Sequence, residues 1–408
     1  MSLLAFAFRN VARNRRRSLL TGGVVAFGFA AFALAGGFMA QSLEGLREGT
    51  IRNGIGHLQI ARAEEFRGGG DATLEHGLTR VPEIERILRA DAEVVEVLPR
   101  IEFVGLVSNG NRSVPFLGSG VHPTRETRTM DLPRVLAAGR WLEGREERGV
   151  VLGAGLAAAL SVGADDTVTL LATTADGTLN AVDAHVTGLA DIPIRELSER
   201  FLATSIGLAD ELLSASGRVS RVVVVLGSVS DSRAAGERLD ARLRQAGFEL
   251  EVRTWEDLAV FYRQVRLLYL GIFGFLGAVL VAVVLLATAN TMTMAVAERT
   301  REVGILRALG TRPRRILGMF LAEGAWLGAL GCAAGALLSL LLTAILNRSG
   351  IELPAPPGAT HGMLLHVRVY VAAYASGALA MLATLLLASF LPARRASRMT
   401  IVEALAHV

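Results

Sequence analysis

Long apolar blocks alternate along this chain with one long mixed stretch. Residues 18–40, 267–297 and 369–391 carry no charge, and residues 316–347 carry a single acid, Glu323. A helix needs roughly 20 apolar residues to cross a bilayer core, so the pattern predicts four spans. Residues 41–266 are different material: charges, short alternating runs and turn dipeptides, the pattern of a folded aqueous domain. There the periodicity predicts strands over 56–61, 94–107, 113–118, 149–152, 167–172, 181–189 and 220–226, and helices over 82–90, 154–160 and 230–246. The last helix lies between a strand and a further one at 249–253, a β-α-β arrangement. The fold class read from this is an α-helical membrane protein with four transmembrane helices plus a large α+β extracytoplasmic domain inserted between helices 1 and 2. The glycines of 68–71 make a loop, since they lack the strand-to-helix setting of a dinucleotide fingerprint.

Charge orients the spans. Residues 1–17 place Leu3, Leu4, Ala7, Phe8 and Val11 on one helical face and end in Arg15, Arg16 and Arg17, which reads as an in-plane cytoplasmic amphipathic helix. The apolar run that follows is longer than the 7 to 15 residues of a signal-peptide core, so a span starting inside is expected. Residues 298–315 hold six arginines (Arg299, Arg301, Arg307, Arg312, Arg314, Arg315) against Glu298 and Glu302, and the tail 392–408 holds Arg394, Arg395 and Arg398. Short arginine-rich loops stay in the cytoplasm, which puts 41–266 and the short Pro-rich loop 348–368 outside.

Composition narrows the chemistry. Hydrophobic residues make up 51% of the chain, too many for an ordinary soluble protein, and all 42 basic residues are arginine. Without lysine the sequence cannot supply a Walker-A loop, so any ATP that drives the protein is bound by another polypeptide. The arginines cluster at span ends without interleaved aromatics, which argues against nucleic acid as a partner. Cys332 is the single cysteine, so no intrachain disulfide and no Cys-based zinc site is expected. The histidines (His57, His76, His122, His185, His361, His366, His407) lack metal-motif spacing, and Ser119 and Ser161 lie in no G-x-S-x-G context. Asp165 and Asp166 read as a solvated turn. No catalytic, cofactor-binding or metal-binding residue is assigned.

The connector between the second and third spans carries the functional expectation. At helical spacing Glu298, Arg299, Arg301 and Glu302 fall on polar positions, while Val303, Ile305, Leu306 and Leu309 form an apolar stripe, and Gly310 and Pro313 are stop signals. Such a helix is either an interfacial anchor or a lever that docks on a soluble motor. Glu323, the acid inside a span, is expected to pair with an arginine such as Arg315 or Arg394. Gly324 and Gly328, and Gly331 and Gly335, have the small-xxx-small spacing of close helix packing, within one subunit or at a dimer seam.

The stretch NTMTMAVAERTREVGILRALGTRPRRI resembles the cytoplasmic coupling segment of the MacB/FtsX-like ABC transporter permeases, a family that includes the lipoprotein-release permeases. The match runs through Asn290, Glu298, Arg299, Glu302, Gly304, Arg307, Ala308 and Gly310. GRWL at 139–142, then Gly153, Ala157, Leu160 and Gly163, resemble the family's outer domain, as do GHLQIARAEEF and the tail 391–405. Gly153 and Gly163 would serve tight turns or helix ends, and Ala157 and Leu160 the core. The resemblance implies an ATPase-coupling segment formed by Glu298, Arg299, Glu302, Val303, Gly304, Ile305, Leu306, Arg307, Leu309 and Gly310. It implies a non-catalytic bacterial inner-membrane subunit working with two cytoplasmic ATPases, which bind the ATP and Mg, and with a second permease copy as homodimer or heterodimer. The implied cargo is a lipoprotein, lipid or other hydrophobic molecule; a cell-wall hydrolase regulator or a MacB-like efflux permease are the alternatives. A membrane-anchored sensor without a motor is the reading outside the family.

Overall fold

The computed structural model describes residues 9, 10, 13, 15–67, 74–228, 232–354, 360 and 362–400. Most of the amphipathic segment expected over 1–17, the 68–71 loop and the tail beyond 400 lie outside the described residues. The chain divides into two compact units, Met1–Glu44 with Val265–Glu352 and Leu364–Val408, and Gly45–Gln264 with Leu353–Met363.

Four helices, Arg15–Thr50, Val260–Glu298, Pro313–Ser349 and Val371–Arg398, are long and apolar enough to cross a membrane. Each outruns its charge-free stretch, because its flanking polar residues are themselves helix formers. Val25, Phe29 and Ala33 of the first pack with Val284 and Met292 of the second, Leu327 and Cys332 of the third, and Met381 and Leu385 of the fourth. The glycines of the third helix decide how closely these neighbours approach. A methyl group at Gly324 would meet Ser389 and one at Gly328 would meet Leu382, both on the fourth helix. At Gly331 it would lie 2.7 Å from Val25, and at Gly335 2.5 Å from the Ala26 carbonyl, both on the first. All four glycines therefore face helices of their own chain. Tyr374 adds a polar tie, its hydroxyl 2.7 Å from that of Ser339. The second helix instead leaves Leu267, Ile272, Phe275, Val279, Val283 and Leu286 exposed.

In the inserted domain the strands are β1 (Leu58–Ala61), β2 (Val94–Ser108), β3 (Ser113–Val121), β4 (Leu136–Gly139), β5 (Gly149–Gly153), β6 (Thr167–Thr173), β7 (Leu179–Ala190), β8 (Phe201–Ser205), β9 (Arg221–Leu226) and β10 (Glu251–Thr254). β1 pairs antiparallel with β9 and with β10, which sets the two strands of the expected β-α-β unit parallel on either side of it. β2 is long enough to serve twice. Its first half pairs with β9; its second half pairs with β3 and β6, and the pairings β3-β8, β8-β5, β5-β7 and β7-β6 return to it, closing six strands into a barrel. Alternate residues of β6 and β7, Val168, Leu170 and Ala172 with Val182, Ala184 and Val186, join one buried core with Phe103 and Phe116. The first strand starts at Leu58 and not at 56, since Gly56 adopts φ +70°. The left-handed positions after helix Ala154–Leu160 are Ser161 and Asp165, not Gly163, while Gly153 begins that helix in an extended conformation. Ala157 and Leu160 are buried, and Asp165 and Asp166 are exposed.

Candidate functional site

The connector is not one amphipathic helix running from 298 to a stop at 310. The second long helix ends at Glu298, Arg299 leaves helical geometry (φ −108°, ψ 13°), and a separate nine-residue helix covers Thr300–Ala308. Gly310, at φ +87°, turns the chain, and Pro313 opens the third long helix with Arg314 and Arg315 inside it. A break in the helix direction lets a side chain that the pattern assigns to the polar face turn inward. Arg299 does so and is 4% exposed.

There Arg299 Nη1 donates to Glu323 Oε2 at 3.0 Å, with both side chains buried. Glu323 thus pairs with an arginine as expected, but the partner is Arg299 and neither Arg315 nor Arg394. The other terminal nitrogen of Arg299, Nη2, has no hydrogen-bond partner among the described residues. Two further pairs join the first long helix and the segment before it to the connector: Arg17 Nη1 donates to Glu298 Oε2 at 2.8 Å, and Arg13 Nη2 donates to Glu302 Oε1 at 3.3 Å. The two acids lie on either side of the break at Arg299, so the two pairs hold the end of the second long helix and the start of the short one. Arg307 donates to the Met399 carbonyl just beyond the fourth helix. Val303 packs with Val296, Ile316, Phe320, Ala393 and Ala396, and Gly304 beside it is buried.

The expected apolar stripe therefore splits. Val303, 1% exposed, belongs to the inner face and is not a surface a partner can touch. Ile305 and Leu309 are 48% and 78% exposed, and with half-buried Leu306 they form the outer face, bordered by Arg301, Glu302 and Ala308. The arrangement holds no reacting group, and no set of three His, Cys, Asp or Glu side chains able to hold a metal occurs among the described residues. What it provides is mechanical: an apolar outward face on a short helix whose inner face packs on the second, third and fourth helices, with Arg17 and Arg13 reaching Glu298 and Glu302 on either side of the break. The exposed pairs contribute little; the buried pair is the one whose rupture is costly. The pairing of Arg13 and Arg17 with the connector does not emerge from the sequence pattern, although their four-residue spacing against Glu298 and Glu302 was an available signal.

A second buried ion pair lies within the inserted domain. Arg100 Nε and Nη2 each donate at 2.9 Å to the two oxygens of Glu126, and Nη1 donates to the Gly54 carbonyl. Burial works against the Arg100 charge, yet Glu126 and Glu102 outweigh it and hold its pKa above the ordinary value. Gly54 sits at φ +146° in the π-helical turn Ile51–Ile55 that follows the first long helix, so the guanidinium holds a bend that glycine makes possible.

The MacB-like periplasmic core domain model matches residues 18–242, and the FtsX-like permease C-terminal model matches residues 274–401. ABC transporter permease YtrF of Bacillus subtilis is 34% identical over 137 residues, 32% of this chain and 31% of YtrF. Pyoverdine export ATP-binding/permease protein PvdT of Pseudomonas putida is 33% identical over 186 residues, 44% of this chain and 25% of PvdT. The matched region thus spans about a third of the one and a quarter of the other. An uncharacterized ABC transporter permease of Methanocaldococcus jannaschii, MJ1507, is similar over a longer stretch, 21% identical across 85% of this chain and 84% of its own.

Proposed function

The chain belongs to the MacB/FtsX-like ABC transporter permeases, multi-pass membrane proteins that work with ABC ATPases, and from that premise we propose that it transmits force and catalyses nothing itself. A separate pair of ATPases binds ATP and Mg on the cytoplasmic side of a bacterial inner membrane. One ATPase presses on Ile305, Leu306 and Leu309, and the load passes through Arg299 and Glu323 to the second and third helices and through Arg13 and Arg17 to the first. The inserted domain, outside the cell membrane, changes shape in response. The observation that carries this reading is the two-faced connector: an outer apolar face that the described residues leave exposed, on a short helix whose opposite face packs on the membrane helices beside the buried pair of Arg299 and Glu323.

Four spans per chain make a poor pore, so a second permease copy completes the assembly and cargo is taken from the outer face, not passed through a channel. A lipoprotein, lipid or similarly hydrophobic molecule suits that geometry. MacB-like efflux uses the same motor equally well and is favoured by the similarity to an export protein for pyoverdine. An FtsX-like regulator of a cell-wall hydrolase is the third use of the same machine.

Co-purification tests the motor. The wild-type chain should bring down an ABC ATPase in fixed stoichiometry, and Leu309→Glu should cut recovery and stimulated ATP hydrolysis at least tenfold while inserting normally. Undiminished recovery with Leu309→Glu would remove the docking face from the account. Depletion then separates the uses, according to whether lipoproteins are mislocalised, a small-molecule export is lost or septal wall hydrolysis fails.

A further inference from the structure

The inserted domain contains a cleft of about 700 Å³, within the size range of small-molecule sites. Its cations come from three separate places in the chain: Arg47 near the end of helix Arg15–Thr50, Arg52 in the π-helical turn, and Arg128 in the helix Pro123–Thr129. Between them lie apolar surfaces from Ile51, Val225 and Trp255, with Ile51 and Trp255 packed in one cluster. Two carboxylates, Glu48 and Glu256, also line the cleft; Glu256 lies 3.7 Å from Arg233, and Arg52 lies 3.7 Å from Asp131.

Guanidinium groups converging from different elements suit an anion with several acceptor oxygens, because each planar fork can take two of them. The fields of Arg47 and Arg52 overlap at one point of the wall. His57, buried there with Nδ1 accepting from the Leu226 N–H, has its pKa lowered to about 4, first by burial and then by Arg52 and Arg47. Position along the chain narrows the anion further. Arg47 lies two helical turns, about 10 Å, past the charge-free run ending at residue 40. An arginine on a helix just past its membrane span can reach lipid headgroups with its long side chain.

We propose that this cleft binds a phosphate-bearing amphiphile, with the phosphate among Arg47, Arg52 and Arg128 and the apolar chain along Ile51, Val225 and Trp255. Phosphate is common to a lipid headgroup and to a free anion; the apolar walls select the lipid. The proposal is independent of the force-transfer reading, and its test needs no ATPase.

The test uses the full-length protein in an uncharged detergent, with Trp141→Phe and Trp326→Phe leaving Trp255 as the only tryptophan fluorophore. Hexyl phosphate, inorganic phosphate and hexyl glucoside are titrated as soluble probes. Hexyl phosphate should bind at least tenfold more tightly than either of the others. Arg47→Gln with Arg128→Gln should lose at least tenfold of that affinity and leave hexyl glucoside unchanged. Arg128→Lys, which keeps the charge but loses the planar fork, and Arg128→Glu, which reverses the charge on an exposed side chain, bracket the effect should the double variant fold poorly: the first should weaken binding in part and the second abolish it. Equal affinity for hexyl glucoside, or no response to these substitutions, would overturn the proposal. Inorganic phosphate binding as tightly as hexyl phosphate would also overturn it, by assigning the arginines to a soluble anion.

Discussion

Removing the carboxylate of Glu323 isolates the contribution of the buried connector pair. Glu323→Ala leaves Arg299 buried, and neither nitrogen Nη1 nor Nη2 then has a partner among the described side chains. Two routes to the cost converge. At an effective dielectric of about 20, unit charges about 4 Å apart interact by about 4 kcal/mol. Breaking a buried pair by deleting one member costs about 3–5 kcal/mol. At about 1.4 kcal/mol per decade, this lowers the folded-to-unfolded ratio by at least about a hundredfold. Replacing both members by apolar side chains of similar volume removes the stranded charge, so Arg299→Met with Glu323→Leu should return to within about 1 kcal/mol of wild type. Equilibrium unfolding of the full-length protein in mixed micelles, read by circular dichroism, measures all three proteins. A Glu323→Ala loss below about 1 kcal/mol, or a double variant no more stable than Glu323→Ala, would overturn this assignment of the buried pair.

The exposed ties should behave differently: Arg13→Ala breaks a pair whose side chains are 61% and 57% exposed, and the same unfolding assay should register less than about 1 kcal/mol. Among the glycines, Gly335→Val pushes a side chain onto the Ala26 carbonyl and should cost about 1–3 kcal/mol or more, whereas Gly274→Ala meets nothing within 4 Å and should gain about 0.5–1 kcal/mol. His57 gives a pH dependence with a definite sign. Its folded pKa of about 4 lies below the unfolded 6.5, so the unfolded chain binds the extra proton between those values and stability falls as pH drops through that window. The loss is about 3 kcal/mol at full extent, and unfolding midpoints of His57→Gln measured from pH 7 to pH 4 should lack that component.

The membrane spans were readable because a charge-free run of twenty or more residues fits little besides a bilayer crossing. Helix Ala154–Leu160 and strand β6 were likewise close to their predicted limits, since turn residues bracket each. β8 was missed for a physical reason: Leu202 faces the barrel core while Ala203 joins a second cluster with Trp141 and Val151 outside it, so no polar alternation remains to betray a strand. β4, Leu136–Gly139, is one leucine followed by three small residues and shows no alternation. The barrel closure depends on β6 reaching the far half of β2, a long-range register that local periodicity does not encode. At the connector, residue types were legible and direction was not. Arg299 and Val303 are both buried, but the polarity of arginine argued for the outside, and local periodicity does not show the break at Arg299 that turns it inward. Only Glu323, 24 positions away, makes the inward placement tolerable.

In the function proposed, a motor protein touches the outer face of the connector and not its inner face. Site-specific crosslinking tests it directly, with buried Cys332 replaced by serine and single cysteines placed at Leu309 or at Val303 in the co-expressed complex. Leu309→Cys should crosslink to an ABC ATPase in a way altered by nucleotide, and Val303→Cys should not. Crosslinking from position 303 as readily as from 309, or from neither, would contradict it.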